Sequence, residues 1–532
     1  MLGAGAEASQ FSVPSTASPV STLQTSPQPL PKFPVQLTAL GKRGRGTAQI
    51  PAFVSRSTTL PISPKAASQA SVAQAHAQGL QQQQPRSASD FLRARADRSS
   101  RLFSQYQGGG QRPRILCTGL GVVSAAGIGV ERFWENLLKG QNNAATVSAF
   151  DPKDMACTVA YEIPSEAFDP KQYFREPKDA KRNDRYTHFA VAASKLALQD
   201  AGLDSMEDLD MNRFGVIIGS GIGGLGFMEQ QNKVLLNSGP RRVSPYLIPA
   251  MIANTAPAQV AIEIGAKGPN HGAVSACATS GHAIGTAMRL LEAGDADIVL
   301  CGGAEASITP LSFAGFNALK ALALGFNDRP KEACRPFDKD RAGFVMGEGA
   351  GVIVLETEEH AVRRGATQVY GQLAGYGATC DAHHMTAPSP EGEGLARCMN
   401  LALRNAGVAP EDVGYINAHG TSTHYNDKFE TKAIKKVFGP HATKLLISST
   451  KPMTGHCLGG TAGIETVVAA KVLQTGDVPP TLNYRTPDPE CDLNYVPNQA
   501  VHVSEPMKAV LTDTLGFGGH NAALVLTPYR KA

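Results

Sequence analysis

The chain has 532 residues, 42% apolar and 18% charged, a globular composition spread over more length than one ordinary core needs, so two or more folding units are expected. Its formal charge of +4 is unevenly placed: residues 1–112 carry 12 Lys/Arg against 3 Asp/Glu, leaving 38 basic and 43 acidic residues beyond them. The basicity belongs to the N-terminal stretch and gives no argument for nucleic-acid binding, and no run approaches the ~18 consecutive apolar residues that membrane insertion by a helix requires.

Residues 1–112 contain 41 Ser, Pro or Gln, including Gln81–Gln84, and almost no acid before Asp90. Such a stretch cannot bury enough apolar surface to offset its ordering entropy. It lacks the compact apolar core of a secretory signal, and Arg-rich, Ser-rich, acid-poor composition is the pattern of an organelle transit peptide. Its length and Ser/Pro content point to a plastid (chloroplast stroma) ahead of a mitochondrion. Cleavage is expected between about residue 90 and Arg112. A disordered regulatory arm is the alternative reading.

From Arg114 short β-rich runs ending in glycine alternate with helical stretches. Ile115–Gly119 reads as a strand, Val130–Lys139 as a helix, His188–Asp200 as a helix, and Phe214–Gly219 as a strand. Val274–Ser275 ends a further strand, a helix spans Ala278–Ala293 before Gly294, and Asp297–Cys301 is the next strand. Strands alternating with helices imply an α/β fold with largely parallel, doubly covered sheets. A weak repeat is visible. Val274–Leu300 and Ile447–Pro479 share the order strand, small-residue turn, long helix, Gly-Asp, strand. Gly343–Leu355 and Val510–Leu526 correspond as hairpin-like stretches. The body divides near residue 365 into 113–364 and 365–532, with a site expected where strand and loop ends of the halves converge. Nine cysteines without a CxxC pair argue for reduced thiols.

Cys277, in Ser275-Ala276-Cys277-Ala278-Thr279-Ser280, stands at a strand–helix junction. Free backbone N–H groups and the helix dipole there favour the thiolate, and such a turn exposes a nucleophile. The alternative is a small cysteine filling a helix–sheet joint. His419 and His456 each follow a strand end (Gly414–Ile416 and Leu445–Ser448) in Gly/Ser/Thr-rich loops, and His456 lies on the repeat counterpart of the Cys277 loop. Each could be held by local backbone instead; together with Cys277 they form a convergent set. Lys451 and Glu465 flank His456 as a candidate buried ion pair or a solvated one. The run Gly516-Phe517-Gly518-Gly519-His520-Asn521 could complete an oxyanion hole with the Cys277 N–H, or be a tight hairpin turn. Gly219–Gly224 imitates a nucleotide fingerprint with the wrong glycine spacing and no helix directly after it. A metal site of His419, His424, His456 and Cys457 fits no zinc spacing.

With Ser275–Ser280, Arg335–Gly351, Asp381–Thr386, Asn417–Thr423, Ser449–His456 and Gly516–Asn521 in that order, the body resembles the elongating β-ketoacyl-[acyl carrier protein] synthases of class I/II. The resemblance implies a thiolase-like fold, two pseudo-symmetric α/β halves in an αβαβα sandwich, and a homodimer. By motif, Cys277 is the acyl-accepting nucleophile and His419 and His456 act on malonyl. Lys451 and Glu465 are the supporting pair, Asp381 and His384 sit in a structural motif, and Phe517 is the gate. Thr421 and Thr423 contact the phosphopantetheine arm, and Ile222 stands at the acyl-pocket entrance. Lys178, Lys181, Arg182, Arg241, Arg242 and Lys320 fall where relatives carry carrier-contacting bases. Ile222 and the GIGG string favour class II; the ending Gly519-His520-Asn521 is similar to plastid class I enzymes. The implied reaction is a decarboxylating Claisen condensation needing no metal, nucleotide or redox cofactor. A polyketide-type ketosynthase and a non-catalytic chain-length-determining subunit are the rivals; the latter typically lacks the nucleophile.

Overall fold

Residues 112–531 are described by a computed structural model. The transit-peptide expectation, with its cleavage site, falls on residues 1–111 and so lies outside the described residues, apart from Arg112 itself.

In chain order, the elements that build the body are β1 (Ile115–Ser124), α1 (Arg185–Asp200), β2 (Phe214–Gly219), α2 (Thr255–Ile264), β3 (Asn270–His271), α3 (Thr279–Glu292), β4 (Ile298–Glu305) and β5 (Gly349–Thr357). The same series then recurs as β6 (Gly371–Cys380), α4 (Glu393–Ala406), β7 (Val413–Asn417), α5 (His424–Phe438), β8 (Leu446–Ser448), α6 (Thr461–Thr475), β9 (Ala509–Gly516) and β10 (His520–Thr527). Pairing follows the same rule in each series. β1 runs antiparallel to β5, β5 antiparallel to β4, β4 parallel to β2, and β2 parallel to β3. Likewise β6 is antiparallel to β10, β10 to β9, while β9 is parallel to β7 and β7 to β8. Two short register pairs, Leu116↔Gln372 and Cys117↔Gly371, join the two sheets edge to edge.

Burial explains the layering. β4 (IVLCGGAE) is buried along its whole length, as a strand covered on both faces must be. α6 (TAGIETVVAAKVLQT) is buried all round up to its last turn, because it lies between sheets together with α3. Small residues permit that depth: a Cβ on Gly463 of α6 would fall 2.2 Å from the carbonyl oxygen of Gly351 on β5. One apolar core, containing α3 and α6 residues and both sheets, fills this middle layer. A second core packs α1 and α2 on the outer face of the first sheet, and a third packs α4 and α5 on the outer face of the second. The result is the expected α/β/α/β/α sandwich.

Several sequence expectations need correction. Gly343–Leu355 is not a hairpin; β5 pairs with β4, and a long insertion separates them where β9 and β10 are joined by a tight turn. Val274 and Ser275 lie beyond the short strand β3 rather than within it. A helix, Leu225–Ser238, does directly follow Gly219–Gly224. The amides of Gly221 and Ile222 are nonetheless taken by the Glu305 carboxyl oxygens at 2.7 and 3.3 Å, so an internal acceptor stands where a phosphate would need to be. Among the described residues no helix is long and apolar enough to cross a membrane. All nine cysteines are free thiols, and only Cys380 is exposed.

Candidate active site

The duplicated topology explains the site's location. Cys277 follows β3 and His456 follows β8, its counterpart; the Ile222 loop follows β2 and the His419 loop follows β7, its counterpart. Four equivalent strand ends therefore deliver their loops to one place.

Cys277 occupies a single 3-10 turn, Ala276–Ala278, that leads into α3. Ala276 is held at φ 52, a left-handed angle that costs a residue with a Cβ about 1 kcal/mol or more. The counterpart turn before α6 shows the same feature at Leu458, with φ 44. Gly516 is glycine for a steric reason, since a Cβ there would lie 2.6 Å from the Ser275 carbonyl oxygen and 3.3 Å from the Cys277 nitrogen. That close approach lets the β9–β10 turn bring the Phe517 amide to the sulfur. Residues 516–521 are therefore both the tight hairpin turn and the candidate oxyanion hole.

The chemistry-bearing atoms converge. His456 Nε2 is 3.1 Å from Cys277 Sγ, and the ligand-capable atoms of Cys277, His419 and His456 all lie within 4.8 Å of one another. The two imidazoles meet edge to face at 5.3 Å between ring centres. Each is backed by a threonine hydroxyl: His456 Nδ1 is 3.0 Å from Thr461 Oγ1, and His419 Nδ1 is 3.2 Å from Thr514 Oγ1. The Thr461 hydroxyl can donate or accept, so the His456 ring can expose either a lone pair or an N–H at Nε2. The Thr514 hydroxyl instead donates to the Cys277 carbonyl oxygen at 3.2 Å, so it accepts from His419 Nδ1–H and leaves a lone pair at His419 Nε2.

The electrostatics correct one expectation. The Cys277 and Phe517 amides and the Lys451 charge do pull the thiol down, but burial outweighs them and pushes it up to about 12. The resting group is a thiol 3.1 Å from His456 Nε2, not a free thiolate. Burial, followed by the Lys451 charge, holds both imidazoles well below the usual histidine range, so both are neutral.

Lys451 is fully buried rather than solvated. Its ammonium donates to the His419 carbonyl oxygen and to Glu465 Oε1 at 2.5 Å. It thus ties the His419 loop, beyond the His456 loop expected for it, to α6. Burial raises Glu465 to about 7 against the pull of Lys451.

Three carboxyls that sequence reasoning passed over support His419 from behind. Its amide donates to Glu430 at 2.7 Å and to Asp513 at 3.0 Å, while Asp427 accepts the Thr421 amide at 3.0 Å. Burial and the adjacent Asp513 charge push Glu430 well above the carboxylate range, and burial raises Asp513 as well, so the two titrate as a pair. The available signals were a carboxylate inside the apolar strand AVLTDTLG and the Asp427/Glu430 spacing on one helix face.

A cavity of about 550 Å³ opens on the sulfur. Its lining brings together Cys277, His419, His456, Phe517, Ile222, Thr421, Thr423, Lys320 and Asp381. Asp381 also braces the β9–β10 turn, accepting from Asn521 Nδ2 at 2.7 Å. His384 stays outside the cavity lining, exposed, with Nδ1 accepting the Thr386 and Ala387 amides at 3.1 Å each. Lys178, Lys181 and Arg182 share one exposed 3-10 segment, and Arg182 lies over the Tyr246 ring, near the turn of Arg241 and Arg242. The alternative metal set is not assembled: Cys457 turns its thiol toward the Thr454 carbonyl within the middle core.

A thiol poised on a neutral imidazole, a second imidazole, two convergent amides and a deep mostly apolar cavity define an acyl-transferring enzyme that holds its substrate as a thioester, built on a thiolase-like fold. The family models described as "Beta-ketoacyl synthase, N-terminal domain" and "Beta-ketoacyl synthase, C-terminal domain" match residues 112–361 and 370–485. The chain belongs to the beta-ketoacyl synthase family. It is similar to the 3-oxoacyl-[acyl-carrier-protein] synthase 2 of Synechocystis, 49% identical over 420 residues, which is 79% of this chain and 99% of that relative. The enzyme of the same name from Staphylococcus aureus is 46% identical over 79% of this chain and 99% of its own length. Two solved structures each match 79% of this chain and all of their own. One is a type II polyketide acyl-carrier protein in complex with its ketosynthase (35% identity, TM-score 0.71), the other a beta-ketoacyl synthase from Burkholderia phymatum (33%, 0.72).

Proposed function

We propose that the chain is a class II β-ketoacyl-[acyl carrier protein] synthase that elongates a fatty acyl chain by two carbons. The observation that carries this is the 3.1 Å contact between Cys277 Sγ and His456 Nε2, with His419 beside it at the floor of the cavity. Acyl carrier protein delivers an acyl thioester. His456 Nε2 takes the thiol proton as Cys277 attacks, and the Cys277 and Phe517 amides hold the oxyanion. As the C–S bond to the carrier breaks, His456 passes that proton to the departing carrier thiolate and is neutral again. With sulfur acylated, both imidazoles present Nε2–H to the malonyl thioester oxygen: the Thr461 hydroxyl turns to donate to His456 Nδ1, and the Thr514 hydroxyl exchanges its bond to the Cys277 carbonyl for one donated to His419 Nδ1. The malonyl carboxylate leaves as carbon dioxide, the enolate is stabilised by two neutral donors, and its carbon attacks the acyl–Cys277 thioester, breaking the C–S bond. The Cys277 thiolate released takes a proton from solvent and returns to the thiol.

The identity to fatty-acid-type synthases favours this reading over a polyketide ketosynthase. Retention of Cys277 disfavours a chain-length-determining subunit. Incubating purified protein with malonyl-carrier and acyl-carriers up to C16 is expected to give 3-oxoacyl products two carbons longer, with the acyl group on Cys277 by mass spectrometry. An acyl group on any other side chain would refute it.

Carrier docking on Lys178, Lys181, Arg182, Arg241, Arg242 and Lys320 is part of the proposal. All are exposed, and Lys320 reaches the cavity rim. Steering of an acidic carrier by this patch predicts affinity that falls as salt rises; salt-independent binding would count against it. A homodimer is supported by the unpaired edge of β3 and by exposed Leu236, Ile248 and Val274; sedimentation at the monomer mass would count against it. Residence in the plastid stroma rests on the composition of residues 1–112. An intact tail on protein isolated from plastids would overturn the cleavage.

A further inference from the structure

One imidazole beside the nucleophile takes no part in the chemistry above. His282 lies on α3, just past Cys277, with Nδ1 2.6 Å from Ser275 Oγ and Nε2 3.3 Å from the Asn521 carbonyl oxygen. A carbonyl oxygen only accepts, so Nε2 carries the proton and Nδ1 accepts the Ser275 hydroxyl. Ser275 opens the strained turn that presents the Cys277 amide. Asn521 follows the turn that presents the Phe517 amide, and its side chain is anchored on Asp381. One ring therefore joins the two segments whose amides must point at the same oxyanion.

His282 is not part of the cavity lining, so it is placed to act through these segments and not on substrate. The groups packed around the ring are His520, edge to face at 6.2 Å, and Tyr376 at 6.4 Å. Burial and the neighbouring His520 lower its proton affinity against the pull of the Asn521 carbonyl, which keeps the ring in the neutral form that this donor–acceptor pattern requires. The imidazoles of His419 and His456 have other supports, Thr514 and Thr461, and do not share this link.

We propose that His282 is a positioning residue that staples the nucleophile turn to the β9–β10 turn and so sets the spacing of the two oxyanion amides used in acyl transfer. The inference rests on the condensing activity proposed above. Removing one oxyanion donor outright costs an enzyme about 10²–10³-fold, so loosening a pair is expected to cost on the order of tenfold. In His282→Ala, single-turnover acylation of Cys277 by acyl-carrier is expected to slow about tenfold, while malonyl-carrier decarboxylation stays within about twofold. His282→Gln, whose amide offers one acceptor and one donor, is expected to recover most of the acylation rate. Ser275→Ala, which cuts one end of the link, is expected to reproduce the selective loss and keeps the test open if His282→Ala fails to fold. Equal loss in both steps, a Gln variant no better than Ala, or acylation unchanged in all three variants would overturn the staple. A parent protein that does not acylate at Cys277 would instead overturn the proposed function.

Discussion

Cys277→Ala is expected to lower condensation by at least about 10³-fold while leaving the fold intact. The substitution removes a sulfur from a site where no other thiol can stand in. Cys334 and Cys457 are buried and absent from the cavity lining, and exposed Cys380 is absent from it too. Decarboxylation of malonyl-carrier should respond differently, because the enolate is held by His419 and His456 and not by the sulfur. Cys277→Gln is therefore expected to release carbon dioxide from malonyl-carrier without forming a longer chain. The pH dependence follows from the same environments. With Cys277 pushed up to about 12, alkylation of the free enzyme is expected to keep rising with pH beyond the range where an ordinary cysteine levels off. Both imidazoles are held below their usual range, so they stay neutral as pH falls past about 6.5, and decarboxylation should persist there until they protonate. Carbon dioxide release, product mass and alkylation rate measure the three quantities. Near-parent condensation by Cys277→Ala would reject the scheme.

How far the sequence reaches is shown by particular residues. Strands such as Phe214–Gly219 were legible because a doubly covered strand is written as a continuous apolar run. The repeat was legible in the small-residue turns before α3 and α6; in the second, close packing requires Gly459 and Gly460. The false hairpin at Gly343–Leu355 arose because β5 pairs with a strand lying before a long insertion, a non-local partner that spacing does not encode. Within the site, Cys277, His419 and His456 stood out by residue type at strand ends. The charge state of Cys277 did not, because a local sequence displays the helpful amides and conceals the burial that outweighs them. Glu430, Asp513 and His282 were passed over for a related reason: their partners lie on other segments, so their meaning depends on tertiary contacts.

Lys451→Met is expected to reduce condensation by about 10²-fold or more and to shift the acid limb of decarboxylation toward higher pH. Two separate consequences can be distinguished. The first is structural. Glu465 would lose the one cation paired with it among the described residues, and its other oxygen, Oε2, already has no hydrogen-bond partner there, so a buried carboxyl would be left without compensation. Breaking one side of such a buried pair destabilises by about 3–5 kcal/mol. The second is electrostatic. Lys451 is the second cause, after burial, holding His419 and His456 below their usual range, so its removal lets both bind protons more readily. The sign follows: protonated rings accumulate at a higher pH than in the parent, and a protonated His456 can no longer accept the Cys277 proton. The double variant Lys451→Met/Glu465→Met separates the two. Replacing both partners with apolar groups of similar volume removes the uncompensated buried carboxyl, so thermal stability is expected to return toward the parent value. The shifted acid limb is expected to remain, because the charge beside the imidazoles is still missing. Thermal melts together with the pH profile of carbon dioxide release measure both. A double variant with the parent's activity and the parent's acid limb would show that the buried ammonium serves only to neutralise Glu465.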